Sequence, residues 1–168
     1  MERKIPLKNY ILLAVTLIIT IILVIYFYMW KQTYDSTKIN TMLMDKYIQK
    51  INYNELNDYL VENKNTVIYS SVLGNTKTKN FEEKLTKVIE ENSLSNGLLY
   101  LDLTEELKNK QIKKEILEKY PELNNNIKAP LIIVFNNEKI TSIYNIKDNN
   151  YNIDKLIEYL EKEEIIND

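Results

Sequence analysis

Uncharged, almost wholly apolar residues fill the chain from Tyr10 to Trp30, between Lys8 and Lys31, and afterwards apolar residues recur only in short groups. As a helix, about 21 residues at about 1.5 Å each reach roughly 31 Å, enough for the hydrocarbon layer of a membrane. The interior is almost wholly Ile, Leu, Val and Phe. Each contributes at best a few tenths of a kcal/mol to insertion, against about +3 for one central charge. Thr16 and Thr20 are cheap exceptions, because a helical Thr hydroxyl can bond a carbonyl one turn back. Tyr10 at one end and Tyr26, Tyr28 and Trp30 at the other suit the headgroup level. The segment following the run, KQTYDSTK, offers no small-x-small cleavage site, so an uncleaved anchor is expected rather than a signal peptide.

Past the anchor the period changes. Residues 31–50 read as a polar stalk with a short apolar set (Ile39, Met42, Leu43, Tyr47, Ile48, Ile51) that holds a candidate first strand. Asn52 and Glu55 form a capping-box pattern before a short helix with Leu56, Tyr59 and Leu60 on one side. TVIYSSV (66–72), rich in β-branched and aromatic residues, predicts a strand, interrupted by Gly74 and Asn75. Phe81, Leu85, Val88 and Ile89 then follow helical spacing as far as Asn96-Gly97. Asn80 with Glu83 is a second capping pair, which would start that helix late and leave 74–79 as a loop. LLYLDL (98–103) predicts another strand, and Ile112, Ile116, Leu117 and Tyr120 a helix ended by Pro121. After the polar connector ELNNNIKA, Pro130 precedes LIIVF (131–135), a tight polar turn at 136–139 and ITSIYNI (140–146), which together read as a hairpin. The last helix carries Ile153, Leu156, Ile157 and Leu160 on one face, with Asn152 as its N-cap.

Charge sets the expected orientation. Arg3, Lys4, Lys8 and the amino terminus precede the span, whereas Lys31, Lys38 and Lys46 follow at wider spacing. The bias predicts a short basic cytoplasmic tail (1–9), a transmembrane helix (10–30), a stalk (31–50) and an extracytoplasmic domain (51–168) at the cell membrane. The first 30 residues hold three of the 22 basic and one of the 24 acidic residues, leaving 19 and 23, so the soluble part is about −4. That sign does not favour nucleic acid, and none is expected as a partner.

Composition removes whole classes of chemistry. With no Cys there is no disulfide, thiol nucleophile or cysteine metal site, and with no His the usual general base and commonest transition-metal ligand are missing. Two glycines, Gly74 and Gly97, cannot build a glycine-rich phosphate cradle. Ser70 and Ser71 have no histidine to activate them. Asp148, Asn149 and Asn150 lack the spacing of a calcium loop. Asp102 with Glu105 and Glu106 is the nearest approach to a carboxylate cluster, open to a helix-capping reading or to a cation site or base. No metal and no cofactor are expected.

The order of elements, with a proline just before the hairpin, resembles the thioredoxin-like fold over roughly residues 51–163. The most specific piece is IKAPLIIVFNNEKI (127–140), similar to the segment in which thioredoxins place a cis-proline ahead of a strand, a short turn and its partner strand; Pro130 matches that proline. The second is VIYSSVLGNTKTKNFEEKL, a strand, turn and helix where the family carries its CxxC pair. Counted from the strand, the pair falls at Gly74 and Lys77, and the motif reads GNTK.

The resemblance implies an α/β fold, a thioredoxin-like mixed central sheet flanked by helices and preceded by one N-terminal transmembrane helix. Redox activity does not carry over, since thiol–disulfide exchange requires a thiolate. Thioredoxin-like domains without their cysteines, such as the non-catalytic domains of protein disulfide isomerases and calsequestrin, act as binding or scaffolding modules. The expected site is therefore a groove between the turn at Gly74 and the loop before Pro130, formed by Tyr69, Gly74, Asn75, Thr76, Lys77, Ala129 and Pro130, with no catalytic residue. The expected partners are the bilayer, through residues 10–30, and another membrane or extracytoplasmic protein. Two alternatives stand beside it: a degenerate oxidoreductase relative presenting substrate to a cysteine-bearing partner, and an enzyme using carboxylates.

Overall fold

A computed structural model describes residues 6–39, 43–123 and 129–166, the side chains of Asp35, Lys38 and Ile39 excepted. Arg3, Lys4, Met42 and Ile127, named above, lie outside the described residues. The chain divides into two compact units, Met1–Asn40 and Thr41–Asp168.

The first unit is one helix, α1 (Leu7–Ile39). Its apolar stretch, Leu7–Tyr34, is long and apolar enough to cross a membrane and has no buried residue. The threonines behave as their chemistry dictates: Thr16 Oγ1 donates to the Leu12 carbonyl and Thr20 Oγ1 to that of Thr16, each at 2.9 Å. The helix does not end with the apolar run at Trp30. It continues through much of the segment read as a stalk, whose residues Lys31 to Ile39 include no Pro or Gly to stop it.

The second unit is a mixed sheet between two pairs of helices. Its elements are β1 (Gln49–Ile51), α2 (Tyr53–Glu62), β2 (Asn65–Ser71), α3 (Thr76–Glu91), β3 (Leu98–Asp102), α4 (Lys110–Lys119), β4 (Leu131–Asn136), β5 (Lys139–Asn145) and α5 (Ile153–Lys162). The strand order is β1-β3-β2-β4-β5. β1, β3 and β2 are parallel, and β4 and β5 are antiparallel additions. β2 sits centrally and is buried on both faces, which explains its continuous rather than alternating apolar character.

Each face of the sheet has its own core. Tyr69, Tyr100, Ile132 and Tyr144 meet Phe81, Leu85 and Ile89 of α3 and Leu156 and Leu160 of α5 on one side. Ile68, Leu99, Leu131 and Ile133 meet Leu56 and Leu60 of α2 and Ile116 of α4 on the other. Each fully buried Leu, Ile or Phe contributes about 1.5–3 kcal/mol relative to exposure. Met44 and Ile48, upstream of the expected domain start at residue 51, are fully buried members of the first core. The local signals are realised as caps and turns. Asn52 and Glu55 form the capping box of α2, and Asn152 caps α5. Asn137 and Glu138 both adopt left-handed φ, the hallmark of a two-residue hairpin turn matched to the strand twist. The pairs Val134–Ser142 and Phe135–Ile140 leave Thr141 as the extra residue of a β-bulge.

Candidate binding groove

The register of β2 against β4 decides whether the two singled-out loops meet. Antiparallel pairing ends with Ser70 opposite Leu131, so Ser71 and the turn beyond it lie at the same end of the sheet as Pro130. The Ala129–Pro130 bond is cis, and the Pro130 carbonyl accepts from Ile146 N at 3.2 Å, which ties this loop to the exit of β5. Gly74 has φ 89°, a left-handed conformation that its lack of a Cβ permits and that turns the chain from β2 toward α3. Asn75 is the N-cap: its Oδ1 accepts from Lys77 N at 2.9 Å and Thr78 N at 3.2 Å. α3 therefore starts at Thr76, not after a loop running to Lys79, and the Asn80–Glu83 pair lies inside the helix. Asn75 prevails over Asn80 as the cap because β2 ends at Ser71 and Gly74 supplies the turn immediately before Asn75.

Of the expected site residues, Gly74, Asn75, Thr76 and Lys77 are exposed, Ala129 is half-buried and Pro130 is buried. Tyr69 does not face the groove. It is fully buried, because in a central strand covered by helices on both sides its ring belongs to the core.

Beneath the turn lies a polar cluster that the sequence reading did not single out. Tyr69 OH donates to Glu82 Oε1 at 3.0 Å, and Ser71 Oγ donates to the same oxygen at 3.0 Å. Since the single Ser71 proton is committed there, Tyr100 OH is the donor in its 3.3 Å contact with Ser71 Oγ. The Tyr69 and Tyr100 rings stack at 6.0 Å. Glu82 is only 3% exposed. Burial raises its pKa above the ordinary carboxyl value, the Ser71 and Tyr69 bonds and the nearby charge of Lys79 oppose that rise, and Asp102 adds to it. Burial and the Glu82 charge likewise hold the Tyr69 hydroxyl well above its ordinary value. The signal was present: Thr78, Glu82, Leu85 and Ile89 share the buried stripe of α3, so a carboxylate occupies a core position.

Asp102 organises the neighbouring loop. Its Oδ1 accepts from both the backbone N and the hydroxyl of Thr104, and Thr104 Oγ1 accepts from Leu73 N at 2.9 Å. The loops after β2 and β3 are thereby joined. No group of three or more Asp or Glu is placed to hold a metal ion among the described residues.

Next to the turn, an open groove of about 750 Å³ runs between α3 and the β5–α5 loop. Asn75, Lys77, Asn80 and Lys84 line one side and Lys147, Asn150 and Tyr151 the other, with Phe81 below. Only Asn75 and Lys77 of these belong to the site expected from the sequence; Asn80, Phe81 and Lys84 follow them along α3, and Lys147, Asn150 and Tyr151 come from a segment far away in the chain.

No family model matches the chain, and no curated protein matches it significantly. Solved structures do. Thioredoxin f2 of Chlamydomonas reinhardtii superposes with a TM-score of 0.50 at 14% identity, covering 69% of this chain and 95% of that one. Thioredoxin of Trypanosoma brucei brucei gives 0.43 at 14% identity over 72% and 99%. The strand order, the cis-proline opposite the β2–α3 turn and the first of these superpositions agree: the chain has a thioredoxin-like fold, accompanied by an N-terminal apolar helix and devoid of cysteine.

Proposed function

We propose that this protein is a membrane-anchored, redox-silent thioredoxin-like domain that binds or scaffolds another protein at the membrane. The carrying observation is the meeting of the GNTK turn and the cis-Pro130 loop at one end of the sheet in a chain without sulfur to exchange electrons there. Gly74 to Lys77, Ala129 and Pro130 form the lip of the binding surface. α1 serves as the anchor, with the amino terminus cytoplasmic and the domain extracytoplasmic. Tethering raises the domain's effective concentration toward other membrane components. Fold alone assigns no chemistry, so the reading rests on the site.

A photocrosslinker at Thr76 tests it. Capture of a discrete protein in cells from Thr76, with none from Lys139 on the far hairpin turn, is the expected result. Capture from Lys139 alone, or measurable disulfide reductase turnover by the purified protein, removes this reading.

A further inference from the structure

We propose that the groove between α3 and the β5–α5 loop seats an acidic, extended segment of a protein partner. This rests on the protein-binding reading above and specifies the chemistry of the partner. Lys77, Lys84 and Lys147 line the groove, and no Asp or Glu does. The soluble part as a whole is acidic, with 23 Asp and Glu against 19 Lys, so the groove is a local reversal of sign. Among the described residues none of these three lysines is ion-paired, unlike Lys108 and Lys114, which pair with Glu105 and Glu118. Their charges remain free for a ligand.

The lining also fits a polypeptide. Asn80 and Asn150 carry side-chain amides that offer both donors and an acceptor, as a peptide backbone does, and Asn75, whose Oδ1 caps α3, adds its amide donors. The Tyr151 ring meets Phe81 edge-on at 6.3 Å and gives an apolar floor. A second hollow of about 330 Å³ shares Lys84, Asn150 and Tyr151 with the first and adds Lys155 and Asp154 at its far end. The two together make a trough suited to a chain rather than a compact anion. Lys77 further stands in the first turn of α3, which has no acidic residue, so a bound carboxylate would offset the unfavourable placement of a cation there. A large anionic surface such as a bilayer would meet the domain's net negative charge beyond the groove, which favours a narrow acidic strand.

The test uses the full chain in phosphatidylcholine nanodiscs with a fluorescein-labelled polyglutamate peptide, read by anisotropy. One variant carries Lys77→Gln, Lys84→Gln and Lys147→Gln; a control with the same charge change carries Lys110→Gln, Lys113→Gln and Lys139→Gln, all exposed elsewhere. The peptide is expected to bind the wild type, to lose about tenfold or more in affinity in the groove variant and to change less than about twofold in the control. Lys→Arg at the three groove positions should restore binding, which separates lost charge from lost folding. Equal weakening in both variants, or no binding by the wild type, overturns the proposal. So does groove-dependent binding of phosphatidylglycerol vesicles in place of the peptide, which would make the surface a lipid site. If the peptide fails while the Thr76 crosslinker still captures a protein, only the acidic partner is lost; if both fail, the protein-binding reading goes with it.

Discussion

The hydroxyl of Tyr69 donates 3.0 Å to the Glu82 carboxylate, joining the central strand to the helix that begins at the GNTK turn. Neither atom reaches solvent in quantity: Tyr69 is 0% and Glu82 3% exposed. A buried carboxylate is costly unless its oxygens are hydrogen-bonded, and here two hydroxyls converge on one of them. Several expectations follow from this arrangement and from the turn above it.

Tyr69→Phe deletes one of the two donors and should destabilise the domain by about 1–3 kcal/mol, because the carboxylate stays buried with a lone hydroxyl partner. Tyr100→Phe, whose hydroxyl makes only the longer contact to Ser71, should cost less, about 1 kcal/mol or below. Urea unfolding followed by near-ultraviolet circular dichroism ranks the two. A larger loss at Tyr100 would mean that the cluster is centred on β3 instead.

The pH dependence has a definite sign. The folded-state pKa of Glu82 is raised from the ordinary 4.5, chiefly by burial, so between 4.5 and the raised value the folded protein holds a proton that the unfolded chain has released. The Glu82 contribution to stability is therefore fully present below 4.5 and is lost as pH rises through the folded value. Glu82→Gln keeps an acceptor without the ionisation. Its stability relative to wild type should be greatest at neutral pH and fall as the solution is acidified. A difference that stays flat from neutral pH to about 4.5 would show that Glu82 titrates as an ordinary carboxyl.

Asn75→Ala should lower stability by about 1 kcal/mol through loss of the α3 cap, whereas Asn80→Ala, inside the helix, should not produce a capping loss. Thermal unfolding of the two variants compares the rival helix starts directly. The reverse order would place the helix start after Lys79.

The two glycines should respond in opposite directions. Gly74→Ala forces a side chain into left-handed φ and should cost about 1 kcal/mol. Gly97 has φ −101° and nothing within 4 Å of an added Cβ, so Gly97→Ala should be neutral or stabilising by up to about 1 kcal/mol. Chemical denaturation midpoints decide between them.

Because the chain lacks cysteine, single cysteines at Lys4 and Lys46 report orientation without background. Labelling of intact cells by an impermeant maleimide is expected at position 46 and not at position 4, following the excess of basic residues before the span. The opposite pattern reverses the proposed orientation.

Much of this protein is determined locally, and those parts were legible in the sequence. A run of uncharged, almost wholly apolar residues long enough to span a membrane reads as a helix, so the helix over 10–30 follows from composition alone, while its continuation to Ile39 does not. Caps at Asn52 and Asn152 and the hairpin turn at Asn137 and Glu138 depend on side chains adjacent to the backbone groups they satisfy. The absence of thiol chemistry needed only a count. Tertiary structure decided what depends on register and burial. Pairing of Ser70 with Leu131 brought Pro130 to the GNTK end, and helices on both faces turned Tyr69 from an expected groove residue into a core residue. The lysines of the groove lie as far apart as positions 77 and 147, and Glu82, although its spacing puts it on the apolar stripe of α3, gains its Tyr69 and Ser71 partners only when the sheet covers that stripe. Long-range packing fixes such neighbours, since their proximity is set by which strands pair and which helix faces are covered, and no local spacing encodes it.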